Sequence, residues 1–141
     1  MRRTPLGARG YHHAAFTTAG HLMAVILIVE DEMFIQQAAD WTIGDLGHRT
    51  LLASDLAGAL LHLSTSRVDA LFVDIRLSTL DLGGFDVANQ AVKLLPDLRV
   101  LYTSGKTLDA DMTEMFVGGG RFIQKPYSPA QLGFSVGELL H

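Results

Sequence analysis

Short apolar runs alternate with helical segments five times along this chain, and no other feature restricts the fold as much. Four of the runs end on residues that carry chemistry. Ala24-Val25-Ile26-Leu27-Ile28-Val29 leads into Glu30-Asp31, and Ala70-Leu71-Phe72-Val73 leads into Asp74. Leu98-Arg99-Val100-Leu101-Tyr102 leads into Thr103-Ser104-Gly105, and Arg121-Phe122-Ile123-Gln124 leads into Lys125-Pro126. This alternation argues for an α/β fold, a parallel sheet covered by helices on both faces. In such a sheet the carboxyl ends of the strands lie on one edge, where ligands bind. Residues far apart in the chain would therefore share one pocket.

The expected elements follow from periodicity and punctuation. The first helix is expected from about Glu32 to Leu46, with Phe34, Ile35, Ala38, Trp41, Thr42 and Asp45-Leu46 recurring every three or four residues. Gly47 is its expected stop. Strand two spans about Arg49 to Ala53, and Ser54 is the expected N-cap of a helix through Leu63. A loop from Ile75 to Gly83 precedes a helix from about Phe85 to Leu94, stopped by Pro96. The fourth helix is expected from about Leu108 to Val117, ending in Gly118-Gly119-Gly120. Ser128-Pro129 starts the last helix, with serine as cap and proline at the first helical position.

Composition narrows the function classes. The chain has 141 residues, 48% hydrophobic and 18% charged, as expected for one globular domain. A net charge of -4 offers no basic footprint for nucleic acid. The absence of cysteine excludes disulfides and thiolate chemistry and is compatible with a reducing, cytoplasmic setting. The apolar stretch around Met23 to Val29 is far short of the roughly 20 residues that span a bilayer. Residues 1–22 hold Arg2, Arg3 and Arg9 and no acid, without the apolar run that a twin-arginine signal needs. They are read as a disordered extension, with residues 23–141 as the domain. The histidines (His12, His13, His21, His48, His62 and His141) are too scattered to compose a zinc site.

Adjacent acids at the end of a buried strand are costly unless a cation or hydrogen bonds offset them. Asp74 from another strand raises that cost. A hard cation such as Mg²⁺ resolves it through one or two carboxylates. Taken singly, Glu30-Asp31 reads as a cap or solvated turn, Asp74 as a turn former, and Lys125 as a surface charge. Taken together, Asp74 offers a carboxylate nucleophile, Ser104 a hydroxyl donor and Lys125 a point charge for phosphoryl oxygens.

Four motifs stand in order: Val29-Glu30-Asp31-Glu32, Phe72-Val73-Asp74-Ile75-Arg76-Leu77, Tyr102-Thr103-Ser104-Gly105 and Phe122-Ile123-Gln124-Lys125-Pro126-Tyr127. Jointly they resemble the receiver domain of bacterial two-component response regulators, over residues 24–140. The resemblance implies a flavodoxin-like, doubly wound (βα)5 fold with five parallel strands in the order 2-1-3-4-5. It implies that Asp74 accepts a phosphoryl group from a histidine kinase or a histidine phosphotransfer protein. Glu30, Asp31, Asp74 and the backbone carbonyl of Arg76 would hold Mg²⁺, Glu30 through a water. Ser104 and Lys125 would contact the phosphoryl group, and Phe122 would turn inward as Ser104 moves. The chain would be a regulatory phosphoacceptor that assists its own phosphotransfer and dephosphorylation, rather than an enzyme. The fourth helix, fifth strand and fifth helix would meet a downstream protein or a second copy of the chain. With no output domain after the last helix, a stand-alone receiver is expected, without nucleic-acid or membrane partners.

Several positions depart from the family pattern. Glu30 is longer than the aspartate often found there, and Ser78 stands where many members have proline. The loop after Leu77 is about two residues long beyond the usual. Arg76 either reaches across the pocket mouth or is solvated, and the glycine triplet reads equally as a mobile hinge or a long turn. A haloacid-dehalogenase-type phosphatase would need a general acid where Arg76 stands, which arginine cannot supply. The other alternative is a degenerate receiver that binds proteins without phosphorylation.

Overall fold

The structure, a computed structural model, describes residues 15–16, 22–77 and 82–141. The central sheet contains β1 (Val25–Val29), β2 (Arg49–Ala53), β3 (Ala70–Asp74), β4 (Arg99–Ser104) and β5 (Arg121–Gln124). All pairs are parallel, in the order β2-β1-β3-β4-β5. Between them run α1 (Met33–Asp45), α2 (Leu56–Thr65), α3 (Gly83–Leu94), α4 (Ala110–Glu114) and, after β5, α5 (Pro129–Leu140). This is the doubly wound flavodoxin-like topology that the motifs imply.

The interior strands β1 and β3 are buried along their whole length, which is why they read as continuous apolar runs. The edge strands β2 and β5 are only partly buried. Successive strand residues face opposite sides. Leu27, Val29, Leu71, Val73 and Tyr102 pack with Phe85, Ala88 and Ala91 of α3 and Met112 of α4. Ile26, Ile28, Phe72, Leu101 and Ile123 pack with Ala39 and Ile43 of α1 and Leu132, Val136 and Leu139 of α5. None of the described helices is long and apolar enough to cross a membrane.

Helix ends follow local chemistry, with two corrections. The cap of α2 is Asp55 rather than Ser54; its carboxylate accepts the Gly58 N–H at 2.8 Å. Carboxylate is the stronger acceptor of the two adjacent candidates. Helix α4 is a single short turn, not the ten residues expected. Asp109 caps it by accepting the Met112 N–H, which delays its start. At the other end, the Val117 N–H donates to the Tyr102 hydroxyl at 2.9 Å and Phe116 stacks on the Tyr102 ring, which draws the chain out of helix. Gly47 and Gly119 adopt positive φ, Gly47 as the stop after α1. Ser128 and Gln131 form a reciprocal capping box ahead of α5, with Pro129 at its start.

The apolar face of α1 also differs from the expected one. Ala39 and Ile43 are buried, whereas Phe34 and Trp41 are 76% and 72% exposed. The helix is apolar on more than one side, so periodicity alone could not choose the side that meets the sheet.

Residues 1–14, 17–21 and 78–81 lie outside the described residues, and with them most of the extension and the long loop after Leu77. Ala15–Phe16 of the extension forms a short antiparallel ladder with Leu22–Met23, at its junction with the domain. The join into β1 is pinned where Ala24 N–H donates to His48 Nδ1 at 3.0 Å and Val25 N–H donates to Asp69 Oδ2 at 2.8 Å.

Candidate functional site

Sheet register builds the site. Ile28, Phe72, Leu101 and Ile123 all lie in the layer under α1 and α5. Two residues further along their strands stand Glu30, Asp74, Thr103 and Lys125, which start from that same side of the sheet. Asp74 is directly opposite Thr103 in the ladder. Beyond β5, the Lys125 N–H donates to the Ser104 carbonyl at 2.9 Å, which carries the register past the strand end.

Lys125 joins the acids. Its Nζ lies 2.8 Å from Glu30 Oε1 and 3.1 Å from Asp74 Oδ2. Glu30 and Asp74 are buried, at 5% and 6% exposure, while Asp31 is exposed at the mouth. Carboxylate oxygens of Glu30, Asp31 and Asp74 all fall within 4.8 Å of one another. Glu30 uses its extra length: its second oxygen accepts the Glu32 N–H at 3.0 Å, at the start of α1. Asp74 Oδ1 accepts the Arg76 N–H at 3.3 Å.

Charge is crowded here. Burial pushes the Glu30 carboxyl above the usual carboxylate range and the Asp74 charge adds to it, against the pull of Lys125 and the Glu32 N–H. Burial disfavours the Lys125 ammonium, but hydrogen bonds and charge from Glu30 and Asp74 outweigh it and hold its pKa above the ordinary lysine value. Lys125 brings one positive charge against the two buried carboxylates of Glu30 and Asp74. Hard oxygen donors at this spacing fit a small divalent cation, Mg²⁺ in the first place.

Ser104 is buried at the same edge, and its Oγ accepts the Lys106 N–H at 3.0 Å, leaving its own proton to donate. Phe122 pairs with Tyr102 across β4 and β5 and stands 6.3 Å from the Phe116 ring, on the side of the sheet that holds α4. Arg76 is exposed at the rim. An open groove beside β5 and α5 is lined by Phe122, Gln124, Lys125, Gln131 and Phe134.

Sequence reasoning missed several residues. Gln36 Nε2 donates to the Glu30 and Ala53 carbonyls, both at 3.0 Å, and so fastens the end of β1 to β2. Gly84 lets α3 lie against the backbone of Asp74 and Ile75, and its N–H donates to the Ile75 carbonyl at 2.7 Å. Only a glycine pair in a loop marked that contact beforehand. The hydroxyls of Thr103 and Tyr127 are buried with no hydrogen-bond partner among the described residues. Both stand inside the strand-end motifs, which assign a role to neither.

The family model described as response regulator receiver domain matches residues 26–136. The chain is 29% identical over 108 residues to the nitrogen assimilation regulatory protein NtrX of Azorhizobium caulinodans, covering 76% of this chain and 24% of that protein. It is 30% identical over 116 residues to the alginate biosynthesis transcriptional regulatory protein AlgB of Pseudomonas aeruginosa, covering 82% and 25%. The chain thus spans about a quarter of the length of these curated relatives. A response regulator receiver protein from Sinorhizobium medicae superposes with a TM-score of 0.75 at 28% identity, covering 84% of this chain and 94% of that one. The chemotaxis protein CheY4 of Vibrio cholerae superposes at 0.76 with 22% identity, covering 83% and 98%, a likeness of fold alone. Since the family match takes in the whole acidic edge together with Lys125, the chain belongs to the response regulator receiver domain family of two-component signalling systems.

Proposed function

We propose that Asp74 is the phosphoacceptor of this receiver domain and takes its phosphoryl group from a phosphohistidine on a sensor kinase or a phosphotransfer protein. The observation that carries this reading is the placement of one lysine between Asp74 and Glu30, 3.1 and 2.8 Å away, beside the exposed Asp31. An Asp74 oxygen attacks phosphorus, a P–O bond forms, the P–N bond breaks and the imidazole leaves. Such transfer needs positioning and offset charge more than covalent chemistry from the protein.

Glu30, Asp31, Asp74 and the Arg76 carbonyl would hold Mg²⁺, with Glu30 acting through a water. Bound there, the metal supplies positive charge to the phosphoryl oxygens. Lys125 gives up its contact with Asp74 to pair with a phosphoryl oxygen, and the Ser104 hydroxyl donates to another. Movement of Ser104 lets Phe122 turn inward against the α4 side of the sheet. The added charge thereby biases the face made by α4, β5 and α5, where the groove beside Phe122 and the 70% exposed Phe134 offer apolar surface to a downstream protein or a second copy. The protein is a regulatory phosphoacceptor rather than a turnover enzyme.

The test is incubation with Mg²⁺ and acetyl phosphate, followed by intact mass. The wild type should gain one phosphoryl group and Asp74→Ala none. Beryllofluoride should shift backbone amide resonances around Asp74, Ser104 and Lys125 in the wild type only. A wild type that gains nothing under these conditions would make the chain a non-phosphorylated binding module.

A further inference from the structure

The acidic doublet stands just past the end of its strand. The β1 ladders stop at Val29, opposite Ala53 on β2 and Val73 on β3. Glu30 and Asp31 bring two of the three clustered carboxylates, and both lie beyond that last pair. Helix α1 does not fix them through a side-chain cap either, because the cap residue Glu32 makes no such hydrogen bond. A cation site needs its ligands held in place, and groups standing behind the ligands do this.

Gln36, half-buried as the fourth residue of α1, is such a group. Its Nε2 donates to the Glu30 carbonyl and to the Ala53 carbonyl, both at 3.0 Å. Its backbone N–H donates to the Glu32 carbonyl at 2.9 Å. Asp31 therefore stands between two residues that the same glutamine holds. The Ala53 carbonyl also accepts the Glu30 N–H at 3.1 Å, so one acceptor joins the strand end to the glutamine. An amide suits this place. Carbonyls only accept, and an NH2 group brings two donors without adding charge beside the acids. One turn further along α1, Asp40 accepts the Thr50 hydroxyl. That bond ties the same helix to the other end of the same strand, away from the acids.

We infer that Gln36 is a positioning residue for the metal: its amide sets the backbone from Glu30 to Glu32 so that the doublet and Asp74 form one cation site. This rests on reading Glu30, Asp31 and Asp74 as the Mg²⁺ ligands. Gln36 acts on metal affinity, and transfer from a phosphodonor proceeds normally once the metal is bound.

The test titrates Mg²⁺ into wild type, Gln36→Met, Gln36→Asn and Thr50→Val by calorimetry, beside urea unfolding in chelator. Gln36→Met is similar in length and has no donor. It should bind Mg²⁺ about tenfold more weakly, the scale of losses behind metal ligands. Gln36→Asn keeps the amide one methylene shorter and should fall between; it carries the test if Gln36→Met does not fold. Thr50→Val should lose stability and keep the wild-type Mg²⁺ affinity. Acetyl-phosphate labelling of the Gln36 variants should be slow at low Mg²⁺ and reach the wild-type rate at saturating Mg²⁺. Wild-type Mg²⁺ affinity in the Gln36 variants would overturn the inference and leave the cation site standing. So would equal weakening in Thr50→Val, which marks a general loosening of α1, or slow labelling that saturating Mg²⁺ fails to restore. A wild type that binds no Mg²⁺ sinks the cation site and the inference together.

Discussion

Gly84 lies so close to Asp74 that a Cβ on it would overlap the Asp74 carbonyl oxygen and stand 2.6 Å from Ile75 Cα. The start of α3 is thereby pressed against the backbone that carries the candidate phosphoacceptor. Both neighbours are backbone atoms, so neither can swing aside. Gly84→Ala should destabilise the fold by about 1–3 kcal/mol, the usual cost of overpacking. Gly137, inside α5 with nothing within 4 Å of its Cβ position, is the contrasting site. Gly137→Ala should stabilise by about 0.4–1 kcal/mol through the unfolded state. Urea unfolding of the two variants reads both outcomes.

Lys125 holds Glu30 and Asp74 together, so removing it should change what a metal does for stability. Lys125→Ala leaves clustered carboxylates without their ammonium. In a chelator it should melt below the wild type. On addition of Mg²⁺ its melting temperature should rise more than that of the wild type, because binding to the native state alone stabilises by mass action. Equal Mg²⁺-induced shifts in the two proteins would count against a cation site made by these acids.

His48 ties the start of β1 by accepting the Ala24 N–H, which only the neutral ring can do. Burial lowers its pKa below 6.5, opposed by the charge of Asp69, which itself pairs with Arg67. A depressed histidine favours the native state above the unfolded value. Below pH 6.5 the unfolded chain takes up this proton first, so the stabilisation falls away until the native pKa is passed. The urea midpoint of the wild type should therefore drop through this window more than that of His48→Gln. Parallel pH profiles would show that His48 contributes nothing there.

Trp41, the only tryptophan, is exposed and lies in the third turn of α1. At 1.5 Å per residue it stands roughly 15 Å along the helix from the acids. Its emission should be that of a solvated indole, readily quenched by acrylamide and nearly unchanged by Mg²⁺. Strong quenching by Mg²⁺ would place α1 differently.

The strand ends and their chemistry were legible because a buried parallel strand must be a continuous apolar run, and its end is marked by the first polar residue. Glu30, Asp74 and Lys125 fell at such ends, and pairing in register made them neighbours. The capping box before α5 was equally local. Other features were not local and could not be read. Tyr102 decides how short α4 is by taking the Val117 N–H from 15 positions away. Which side of α1 faces the sheet depends on α5, whose Leu132 and Val136 share a layer with Ala39 and Ile43. The clasp of Gln36 on two strand ends, the seat of Gly84 on Asp74 and the partnerless Tyr127 hydroxyl exist only once distant segments pack. Sequence sets hydrogen-bond capacity and apolar period residue by residue; the folded chain alone decides which donors meet which acceptors, because that depends on distances between segments no local pattern encodes.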